Sequence, residues 1–354
     1  MPLTLRLATA ATVVAVASLA LASCGRPSSS PETPAWRLAD NSPVKPDAAL
    51  LTQMTAALDA AAHSGTNPSI SKFQVKAATA FDYDGHQQVV MGGNTEYELP
   101  EAIHGEASTV NHVIARFGPE VARDKIQFVA FYSATCGGDS RGCGDCRDYM
   151  VASTQYDRLL WVCGSAKDHT MVVRRFADGL VAEQAFPDVT PANAGIPAPD
   201  LQRLTKAAQQ ALRHGILLFT TQEQHSAAAV LTTKGTIYQA AGADDAAFHY
   251  RYPIGGALQQ AATAGEYAVR AVLVAGKEGT WPHVMYRDRQ YGFEYSSFGQ
   301  ARGQAPIRLI LTNGQGAFKA TTFEDALPHP FSVSRFNPAA IERFLATQEQ
   351  APPH

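Results

Sequence analysis

The sequence predicts an α/β fold in which one layered unit occurs twice. Short apolar runs with strand character alternate with longer segments whose apolar residues recur every three or four positions, which is typical of strands and helices packed in layers. Two pairs of strand-like runs are joined by hairpin turn signals, Asp84-Gly85 and Lys234-Gly235. A similar order of segments recurs after residue 200, although its motifs are weaker. A chain of 354 residues is long enough for two ordinary domains.

The overall composition is that of a globular protein with little net charge. The formal net charge is −3, so the sequence has no overall excess of basic residues. Proteins that bind nucleic acid by neutralising its phosphates usually have such an excess. We therefore expect no nucleic acid partner.

Residues 1–24 predict an export signal that ends in a lipid attachment site. Arg6 provides the positive charge that precedes the apolar part of a signal sequence. The apolar segment Leu7–Leu21 is long enough for that part and too short for an ordinary membrane-spanning helix. Leu21-Ala-Ser-Cys24 matches a bacterial lipobox, which makes Cys24 the predicted lipidation site. An ordinary signal peptide cut nearby is the alternative. In either case we expect export to the cell envelope, where lipid on Cys24 would anchor the protein without a spanning helix.

The segment that follows, 25–46, is rich in Ser and Pro and predicts a flexible tether, with Trp36 as a candidate for docking on the folded domains.

Asp47 is expected to begin a helix that ends near Gly65. Strands are then predicted in alternation with helices. The predicted strands of this half are Phe73–Phe81, Gln87–Met91, Lys125–Tyr132, Arg158–Val162 and Met171–Phe176.

Four side chains predict a zinc site with its own proton carrier. A catalytic zinc typically has three protein ligands, and His104, Cys143 and Cys146 supply an imidazole and two thiols. Apolar spacing after His104 predicts a helix, so His104 and Glu106 lie in its first turn. The two cysteines are three apart and share one face of a second helix, whose N-terminus lowers thiol pKa. Glu106 then remains free to move protons.

Other interpretations of these residues exist. A Cys-x-x-Cys pair is also typical of a redox pair or a disulfide. A structural zinc site would need a fourth ligand, which Asp145 or Asp148 could provide. His112 is interpreted as a helix histidine, not a ligand.

The order of motifs resembles the zinc-dependent cytidine deaminase family. Ile103-His-Gly-Glu-Ala107 resembles its His-Ala-Glu helix, and Cys143-Gly-Asp-Cys-Arg147 resembles its Cys-Gly-x-Cys-Arg-Gln. Ser71-Lys-Phe-Gln-Val-Lys-Ala-Ala78 resembles its Ser-Lys-Phe-x-Val-Gly-Ala-Ala, and Gly93-Asn-Thr-Glu96 its Asn-x-Glu ribose motif. The resemblance covers most of residues 47–335. It implies a three-layer α-β-α sandwich, here duplicated, and places the catalytic domain at 47–195.

The resemblance also implies an activity, the hydrolytic deamination of cytidine or deoxycytidine to uridine or deoxyuridine and ammonia. A zinc-bound hydroxide would attack C4, with Glu106 as the proton shuttle. Asn94 and Glu96 would hold the ribose hydroxyls and Phe73 would pack against the nucleoside, although the first two can also be turn residues and Phe73 plain core. Arg147 would support the cysteine helix. The alternatives are a non-catalytic nucleoside-binding lipoprotein and a deaminase of a modified base or of nucleic acid.

Three features depart from the family pattern. Gly142 stands in place of the proline before the first cysteine, and Asp148 stands in place of the glutamine after the arginine. The loop Thr135–Gly142 carries three glycines and an extra cysteine, Cys136. Since disulfides persist outside the cytosol, Cys136 could pair with Cys163; two separate buried thiols are the alternative.

Residues 196–354 are predicted to be a degenerate, non-catalytic copy. Its first helix is expected to begin at Asp200. Gly242-Ala-Asp-Asp245 is expected in the place of the Asn-x-Glu motif, and Ile254-Gly-Gly-Ala257 in the place of Ile103–Glu106. Ser297–Arg302 would replace the cysteine motif. We therefore expect one zinc per chain. The residues expected at the positions equivalent to His104, Cys143 and Cys146 are Gly255, Phe298 and Ala301. The segment Phe323–Pro328 is expected to be equivalent to Phe186–Pro191.

The resemblance also implies assembly into a homodimer of two-domain chains, a pseudo-tetramer with two active pockets. The aromatic segment Phe248–Ile254 is the predicted cover of each pocket, from its own chain or its partner. The alternative is a monomer in which the two halves cover each other's apolar surfaces.

Overall fold

The computed structural model describes residues 35–96, 102–133, 136, 141–219, 225–246, 249–333 and 337–350, without the side chains of 348–350. The predicted export signal, Cys24 and the first part of the predicted tether lie outside these residues. Among the residues that the structure describes, no helix is long and apolar enough to cross a membrane.

The first half is a six-stranded mixed sheet with helices on both faces and a small two-stranded ribbon. Its strands are β1 (Arg37–Leu38), β2 (Val75–Tyr83), β3 (His86–Gly93), β4 (Thr95–Glu96), β5 (Ala102–Ile103), β6 (Phe128–Ser133), β7 (Leu160–Ser165) and β8 (Thr170–Arg175). Its helices are α1 (Ala48–Ala62), α2 (Gly105–Phe117), α3 (Pro119–Lys125) and α4 (Gly144–Ser153).

The second half has the same plan. Its strands are β9 (Asp188–Val189), β10 (Ser226–Thr232), β11 (Ile237–Ala241), β12 (Ala243–Asp244), β13 (Tyr250–Arg251), β14 (Val269–Gly276), β15 (Arg308–Thr312) and β16 (Phe318–Thr322). Its helices are α5 (Ala198–Leu212), α6 (Pro253–Thr263), α7 (Tyr286–Gln300) and α8 (Phe323–Ala326), and α9 (Pro338–Gln350) follows.

The strand order shows the duplication. The first sheet runs β1-β8-β7-β6-β2-β3, and the second runs β11-β10-β14-β15-β16-β9, which is the same order read from the other edge. In each sheet the edge hairpin is antiparallel and the central pair, β6/β7 or β14/β15, is parallel. The predicted duplicated α/β fold is confirmed.

Each sheet is the middle layer of three. Met54 and Leu58 of α1 are fully buried on one face of the first sheet, and Val110 and Val113 of α2 are fully buried on the other. In the second half α5 covers one face and α6 the other. The repeated small and β-branched residues of the central strands allow helices to approach both faces closely.

Most element boundaries follow the predicted signals. Asp47 accepts a hydrogen bond from the Leu50 N–H (2.8 Å) and caps α1 as expected. The hairpin at Asp84-Gly85 has positive φ at both residues (50° and 75°), which is what the tight hairpin turn requires. Two boundaries differ. The strand predicted from Lys125 begins at Phe128, because α3 occupies the residues before it, and α5 begins ahead of Asp200, with Pro197 as its N-cap.

The tether prediction needs correction from residue 35 onward. Trp36 is buried, and its indole N–H donates to Asp59 (2.8 Å). Strand β1 pairs in parallel with β8, so the chain is held on the first sheet well before residue 47. At the other boundary, β9 lies within the predicted catalytic domain but pairs with β16 of the second sheet.

The sulfur atoms of Cys136 and Cys163 form a disulfide, which decides between the two alternatives for these cysteines. It joins the residue that follows β6 to the adjacent strand β7, with a Cα–Cα distance of 5.4 Å. The loop that leads to Cys143 is therefore fastened to the sheet at its start.

Strand pairing corrects the predicted equivalences between the halves. Thr95 pairs with Ile103 in the first ribbon, and Ala243 pairs with Arg251 in the second. Counting from these pairs, Tyr252 occupies the position of His104, three residues before the predicted Gly255. Asp244, not Asp245, occupies the position of Glu96.

The predicted equivalent of the cysteine motif is also wrong. Cys143 is the N-cap of α4 and Met285 is the N-cap of α7, so Met285 and Asp288 occupy the positions of Cys143 and Cys146. Phe298 lies near the other end of α7 and Ala301 is its C-cap. Phe298 and Ala301 lie thirteen residues beyond Met285 and Asp288, so this Phe-x-x-Ala spacing has the form of the cysteine motif but stands at the wrong end of the helix.

The segments after β8 and β16 are equivalent as well. Phe176–Gly179 forms a short 3₁₀ turn directly after β8, as α8 follows β16. The predicted equivalence between Phe186–Pro191 and Phe323–Pro328 is therefore wrong by ten residues, because the equivalent segment of the first half begins at Phe176. The equivalent sequences are Phe176-Ala-Asp-Gly-Leu180 and Phe323-Glu-Asp-Ala-Leu327.

Two buried arginines join the halves reciprocally. Arg147 of α4 donates to the Pro328 carbonyl of the second half (2.7 Å), and Arg289 of α7 donates to the Val181 carbonyl of the first half (2.5 Å). Both arginines are fully buried. Arg289 also pairs with the buried carboxylate of Glu183 at 2.5 Å. The second half thus supplies an acceptor for Arg147 of the first half, and the first half supplies an acceptor for Arg289 of the second half.

Glu183 makes this contact sensitive to acid. Burial alone would raise its pKa, but the hydrogen bond from His283 and the charge of Arg289 outweigh burial and lower the pKa to about 2, from 4.5. Because the folded pKa is depressed, this stabilisation is complete above pH 4.5 and is lost as the pH falls towards 2.

We therefore predict that Glu183→Gln abolishes part of the pH dependence of folding. The wild type should lose about 3 kcal/mol of unfolding free energy through this group as the pH falls across that window, and the variant should not. Urea denaturation at matched pH values measures the difference between the two proteins. A difference that stays constant from neutral pH into the acid range would contradict the assignment.

Candidate metal centre

The first pair of predicted residues lies at the start of α2. His104 is the N-cap residue with extended backbone angles (φ −77°, ψ 146°), so its imidazole projects beyond the helix end. Glu106 lies in the first turn and is buried. Gly105 between them has no room for a side chain, because a Cβ there would lie 2.5 Å from the Val75 carbonyl oxygen. The glycine lets the helix end approach β2.

The second pair lies at the start of α4. Cys143 is the N-cap, and its sulfur accepts a hydrogen bond from the Cys146 N–H at 3.5 Å. Gly142 has a φ of 79°, a region that proline cannot adopt because its ring fixes φ near −65°. The backbone conformation at the entrance to α4 therefore excludes a proline at position 142.

The fold brings the three predicted ligands together. His104 Nδ1 lies 3.0 Å from Cys143 Sγ and 3.3 Å from Cys146 Sγ, and the three ligand atoms are all within 4.8 Å of one another. Within the described part of the chain this is the one His/Cys/Asp/Glu group close enough to hold a metal ion. One imidazole and two thiolates are a donor set that suits zinc, so the residues fit the predicted metal.

The two aspartates considered as a fourth ligand are engaged elsewhere. Asp145 forms an ion pair with Arg287 at 2.7 Å. Asp148 accepts hydrogen bonds from the backbone N–H groups of Tyr286 (2.9 Å) and Arg287 (2.8 Å) at the start of α7. Among the residues that the structure describes, the cluster therefore has three protein ligands, the number typical of a catalytic zinc site with one open position.

The charges around the cluster favour a thiolate at Cys143. The hydrogen bond with Cys146 and the charge of His104 lower the pKa of Cys143, at the N-terminus of a helix that also favours an anion. The Cys143 thiolate in turn raises the pKa of His104 to about 10. The proton of this pair therefore lies on His104, and a metal ion bound by the neutral imidazole would release it.

Glu106 lies beside the ligands without being one of the three. One carboxylate oxygen is 3.6 Å from Cys146 Sγ. Burial, and then the charge of Cys143, raise its pKa. A carboxyl group that holds a proton more readily than usual is suited to general acid and base catalysis near neutral pH.

A cavity of about 170 Å³ lies over the cluster. The predicted substrate residues Phe73, Asn94 and Glu96 all line it. Among the described residues, one lining residue comes from the second half, Phe331, whose ring centroid is 5.2 Å from that of Phe73. The described residues that line the cavity are Ser71, Phe73, Val75, Asn94, Glu96, Ala102, His104, Glu106, Phe131, Ser133, Gly142, Cys143, Cys146 and Phe331.

Sequence reasoning missed Phe331 and chose the segment Phe248–Ile254 as the cover. Phe248 lies outside the described residues. Within this chain, Tyr250 and Tyr252 of that segment line a different cavity, in the second half. The Phe331 backbone is held in place by Gln290, whose amide donates to its carbonyl (2.7 Å) and accepts from the Gly144 N–H (3.3 Å). The Arg289-Gln290 pair, which matches the family's Arg-Gln, was the available signal for this region.

Asn94 and Glu96 line the cavity but also hold the backbone around it. The Asn94 amide accepts from the Val75 N–H (2.9 Å) and donates to the Phe73 carbonyl (2.7 Å). The Glu96 carboxylate accepts from the Ile70 and Ser71 N–H groups, each at 2.7 Å. Both residues therefore fix the loop that carries Phe73.

The two remaining residues have structural roles. Arg147 is fully buried and donates to the Gly142 carbonyl at 3.2 Å, so it supports the cysteine helix as expected. His112 binds the Met91 carbonyl through Nδ1 (2.7 Å) on the outer surface of α2 and does not belong to the cluster.

At the equivalent place in the second half, a carboxylate joins the two helices. Asp288 of α7 accepts hydrogen bonds from the N–H groups of Ile254 (3.0 Å) and Gly255 (2.8 Å) in the first turn of α6. Burial raises the pKa of Asp288 to about 7. Tyr252 and Met285 flank it, and this set offers no thiol or imidazole at the ligand positions.

No family model matches the chain, and no curated protein matches it. Among solved structures, the chain is similar to the cytidine deaminase from Burkholderia pseudomallei, with 23% identity over 37% of this chain and 98% of that chain, at a TM-score of 0.32. Cytidine deaminases from Mycobacterium tuberculosis and Mycobacterium leprae each match with 24% identity over 37% of this chain, at a TM-score of 0.27, and over 94% and 97% of their own chains. At these TM-scores the function has to be argued from the site itself.

We predict about one zinc ion per chain, bound by the first half. Cys143→Ala should remove the metal, because two ligands seldom hold zinc tightly. Met285→Ala, at the equivalent helix position of the second half, is the matched control and should leave the zinc content unchanged. Elemental analysis of purified protein measures both. Two metals per chain, or full zinc in Cys143→Ala, would show that the site is wrongly assigned.

Proposed function

We propose that the chain is a zinc-dependent hydrolase that deaminates cytidine or deoxycytidine to the corresponding uridine and ammonia. The observation that carries this proposal is the position of Glu106. A buried carboxylate with a raised pKa lies beside a His104, Cys143 and Cys146 cluster at the base of a cavity. Structural zinc sites have four protein ligands and no need of such a carboxylate.

The metal and Glu106 supply complementary chemistry. When bound in a site with three protein ligands, zinc lowers the pKa of water to near 7 and so makes a nucleophile available at neutral pH. Glu106 accepts the proton of the attacking water and delivers it to the ring nitrogen next to the carbon that bears the amine. That proton makes the carbon electrophilic. Glu106 then takes the remaining proton of the hydroxyl group that was added to this carbon and delivers it to the amine. The bond between carbon and amine breaks as the carbon–oxygen double bond forms, and the amine leaves as ammonia.

The cavity suits a small aromatic substrate. Phe73 and Phe331 contribute two phenyl rings to its lining, against which a planar base can pack. Its volume of about 170 Å³ and the net charge of −3 favour a free nucleoside over a nucleic acid. His104, Cys143 and Cys146 line the same cavity, so the amine-bearing carbon of the base would be directed towards them.

We also propose that the protein is exported and anchored through lipid on Cys24. The lipobox motif supports this proposal, and so does the disulfide between Cys136 and Cys163, because disulfides persist in oxidising compartments and are rare in the cytosol.

A homodimer is the proposed assembly. Both halves expose large apolar side chains, including Ile70 (49% exposed), Ile103 (41%) and Leu218 (61%). Covering such residues with a second copy is favourable by roughly 25 cal/mol for each square ångström removed from water. Ile103 belongs to the ribbon β4/β5, and Ile70 donates its N–H to Glu96 of the same ribbon. Leu218 donates its N–H to Asp244 of the ribbon β12/β13, so both ribbons are candidates for the contact.

We predict that Glu106→Gln keeps its zinc and loses at least about 100-fold in turnover of cytidine, because the amide cannot carry the proton. Glu120→Gln, an exposed glutamate of α3, is the matched control and should behave as wild type. Ammonia release and the ultraviolet change of the base measure turnover. A zinc-loaded wild type that binds cytidine without turnover would favour a non-catalytic binding protein. Turnover restricted to oligonucleotides or modified bases would favour those substrates instead.

We further predict that the form lacking residues 1–24 has about twice the single-chain mass of about 35 kDa in solution. Light scattering at micromolar concentration measures it, and Leu218→Glu should shift the protein towards the single-chain mass by placing a charge in the contact. A fully active wild-type protein of single-chain mass would exclude a pocket that depends on two copies.

A further inference from the structure

The second half keeps a cavity at the place equivalent to the candidate metal centre. Its volume is about 140 Å³, against about 170 Å³ for the cavity in the first half. Five of its lining residues occupy positions that also line the first cavity, namely Ser226, Tyr250, Tyr252, Met285 and Asp288. The equivalent lining residues of the first half are, in the same order, Val75, Ala102, His104, Cys143 and Cys146. The replacements remove the metal ligands but leave a cavity.

The backbone supports these equivalences. The Val75 carbonyl accepts from the Asn94 N–H at 3.0 Å, and the Ser226 carbonyl accepts from the Gly242 N–H at 2.9 Å. Gly242 therefore stands at the position of Asn94, one of the two residues assigned to the sugar in the first cavity.

Asp288 gives the second cavity a buried hydrogen-bond acceptor. Its two carboxylate oxygens each accept one backbone N–H, from Ile254 (3.0 Å) and from Gly255 (2.8 Å). An ionised carboxylate has about four acceptor positions, so Asp288 can accept further hydrogen bonds from a molecule in the cavity. Burial raises the pKa of Asp288 to about 7, and in its protonated form the group can also donate to a carbonyl.

The walls of the cavity favour a flat ligand. The rings of Tyr250 and Tyr252 meet edge to face, with centroids 5.1 Å apart and planes at 81°. The Met285 side chain lines the same space. Aromatic rings and a thioether pack well against a planar, polarizable molecule. Apolar walls with a few fixed polar groups are typical of small-molecule sites.

Tyr250 closes the side on which the first cavity would take a sugar. At that side the first cavity is lined by Ala102 and Asn94. In the second half the alanine is replaced by Tyr250, and a Cβ at Gly242 would lie 2.0 Å from the Tyr250 hydroxyl oxygen. The tyrosine thus fills the space that a side chain in the place of Asn94 would need.

We propose that the second half holds a non-catalytic binding site for a free pyrimidine base or a similarly small planar heterocycle. Asp288 accepts from an N–H group of the ring, and Tyr250 excludes the sugar of a nucleoside. The identification of the sugar side rests on the proposed function. Binding of a base to the second half is measured without turnover.

Uracil and uridine are the matched probes, because neither carries an amine that the proposed reaction would remove. In protein isotopically labelled at the methionine methyl groups, nuclear Overhauser effects report which methyl lies close to the base protons. Uracil should contact the Met285 methyl and should not contact Met54, which is buried under α1 in the first half. Uridine should not contact Met285. The proposal is wrong if millimolar uracil gives no contact at Met285, or if uridine gives an equal one.

Tyr250→Ala tests the exclusion of the sugar, because it introduces the residue type that the first half has at this position. In this variant uridine should contact Met285, with an affinity close to that of uracil. Tyr156→Ala, which removes an exposed tyrosine of the first half, is the matched control and should still exclude uridine from the second cavity. A Tyr250→Ala protein that binds uracil at Met285 and still excludes uridine would refute the role of Tyr250.

Asp288→Asn tests the acceptor. Uracil binding at Met285 should weaken by about 10-fold or more, because the amide loses the charge and one of the two acceptor oxygens. If the methionine spectrum of Asp288→Asn is that of an unfolded chain, Tyr252→Ala replaces it, and the loss of one ring wall should weaken binding in the same direction. Wild-type affinity for uracil in the folded variant would contradict the assigned site.

Turnover separates this inference from the proposed function. A protein that binds uracil at Met285 and never turns over cytidine would refute the proposed function and leave the second site established. A protein that turns over cytidine while uracil never contacts Met285 would refute the second site and leave the proposed function in place.

Discussion

The packing of α4 against α7 is the contact on which the rest of the structure depends. Two helix N-termini meet there, and their positive ends would repel if nothing offset them. Acceptors from each helix satisfy the other: Asp148 caps α7, and Gln290 accepts from the first N–H of α4. Gly144 is required at the crossing because a Cβ there would collide with the backbone of α7. The helix that carries the cysteines is thus positioned by the half that has none.

The corresponding helices of the two halves are joined in different ways. In the first half, His104 at the start of α2 faces two thiols at the start of α4, and a shared metal ion would join the two helices. In the second half Asp288 joins the equivalent helices directly, by accepting from two N–H groups of α6. The carboxylate satisfies groups that a helix end otherwise leaves unpaired. This contact holds the two helices together without a thiol or an imidazole.

The sequence predicted the parts of the molecule that local chemistry determines. His104 and the two cysteines follow from the ligand types that zinc requires, Glu106 follows from the need for a proton carrier beside them, and hairpins and caps follow from turn residues and Asp47. The equivalences in the second half were misplaced because pairing register, not composition, determines which residue meets which. The tether was predicted too long because a Ser- and Pro-rich composition does not reveal that Arg37 and Leu38 pair with β8. Phe331 was missed because its contact with Phe73 joins distant parts of the chain, and only the Arg289-Gln290 pair pointed to that region.

Phe331 makes the second half part of the cavity in the first half. The chain leaves α8, passes Arg147, which binds the carbonyls of Pro328 and His329, and reaches the cavity of the first half. Gln290 fixes the end of this path through the Phe331 carbonyl. Every one of these contacts joins a residue of one half to backbone that borders the site or to the helix that carries the cysteines. Deleting the second half would therefore remove one wall of the cavity and the acceptors of a buried arginine at the same time, so the pocket and the interface between the halves are one structure.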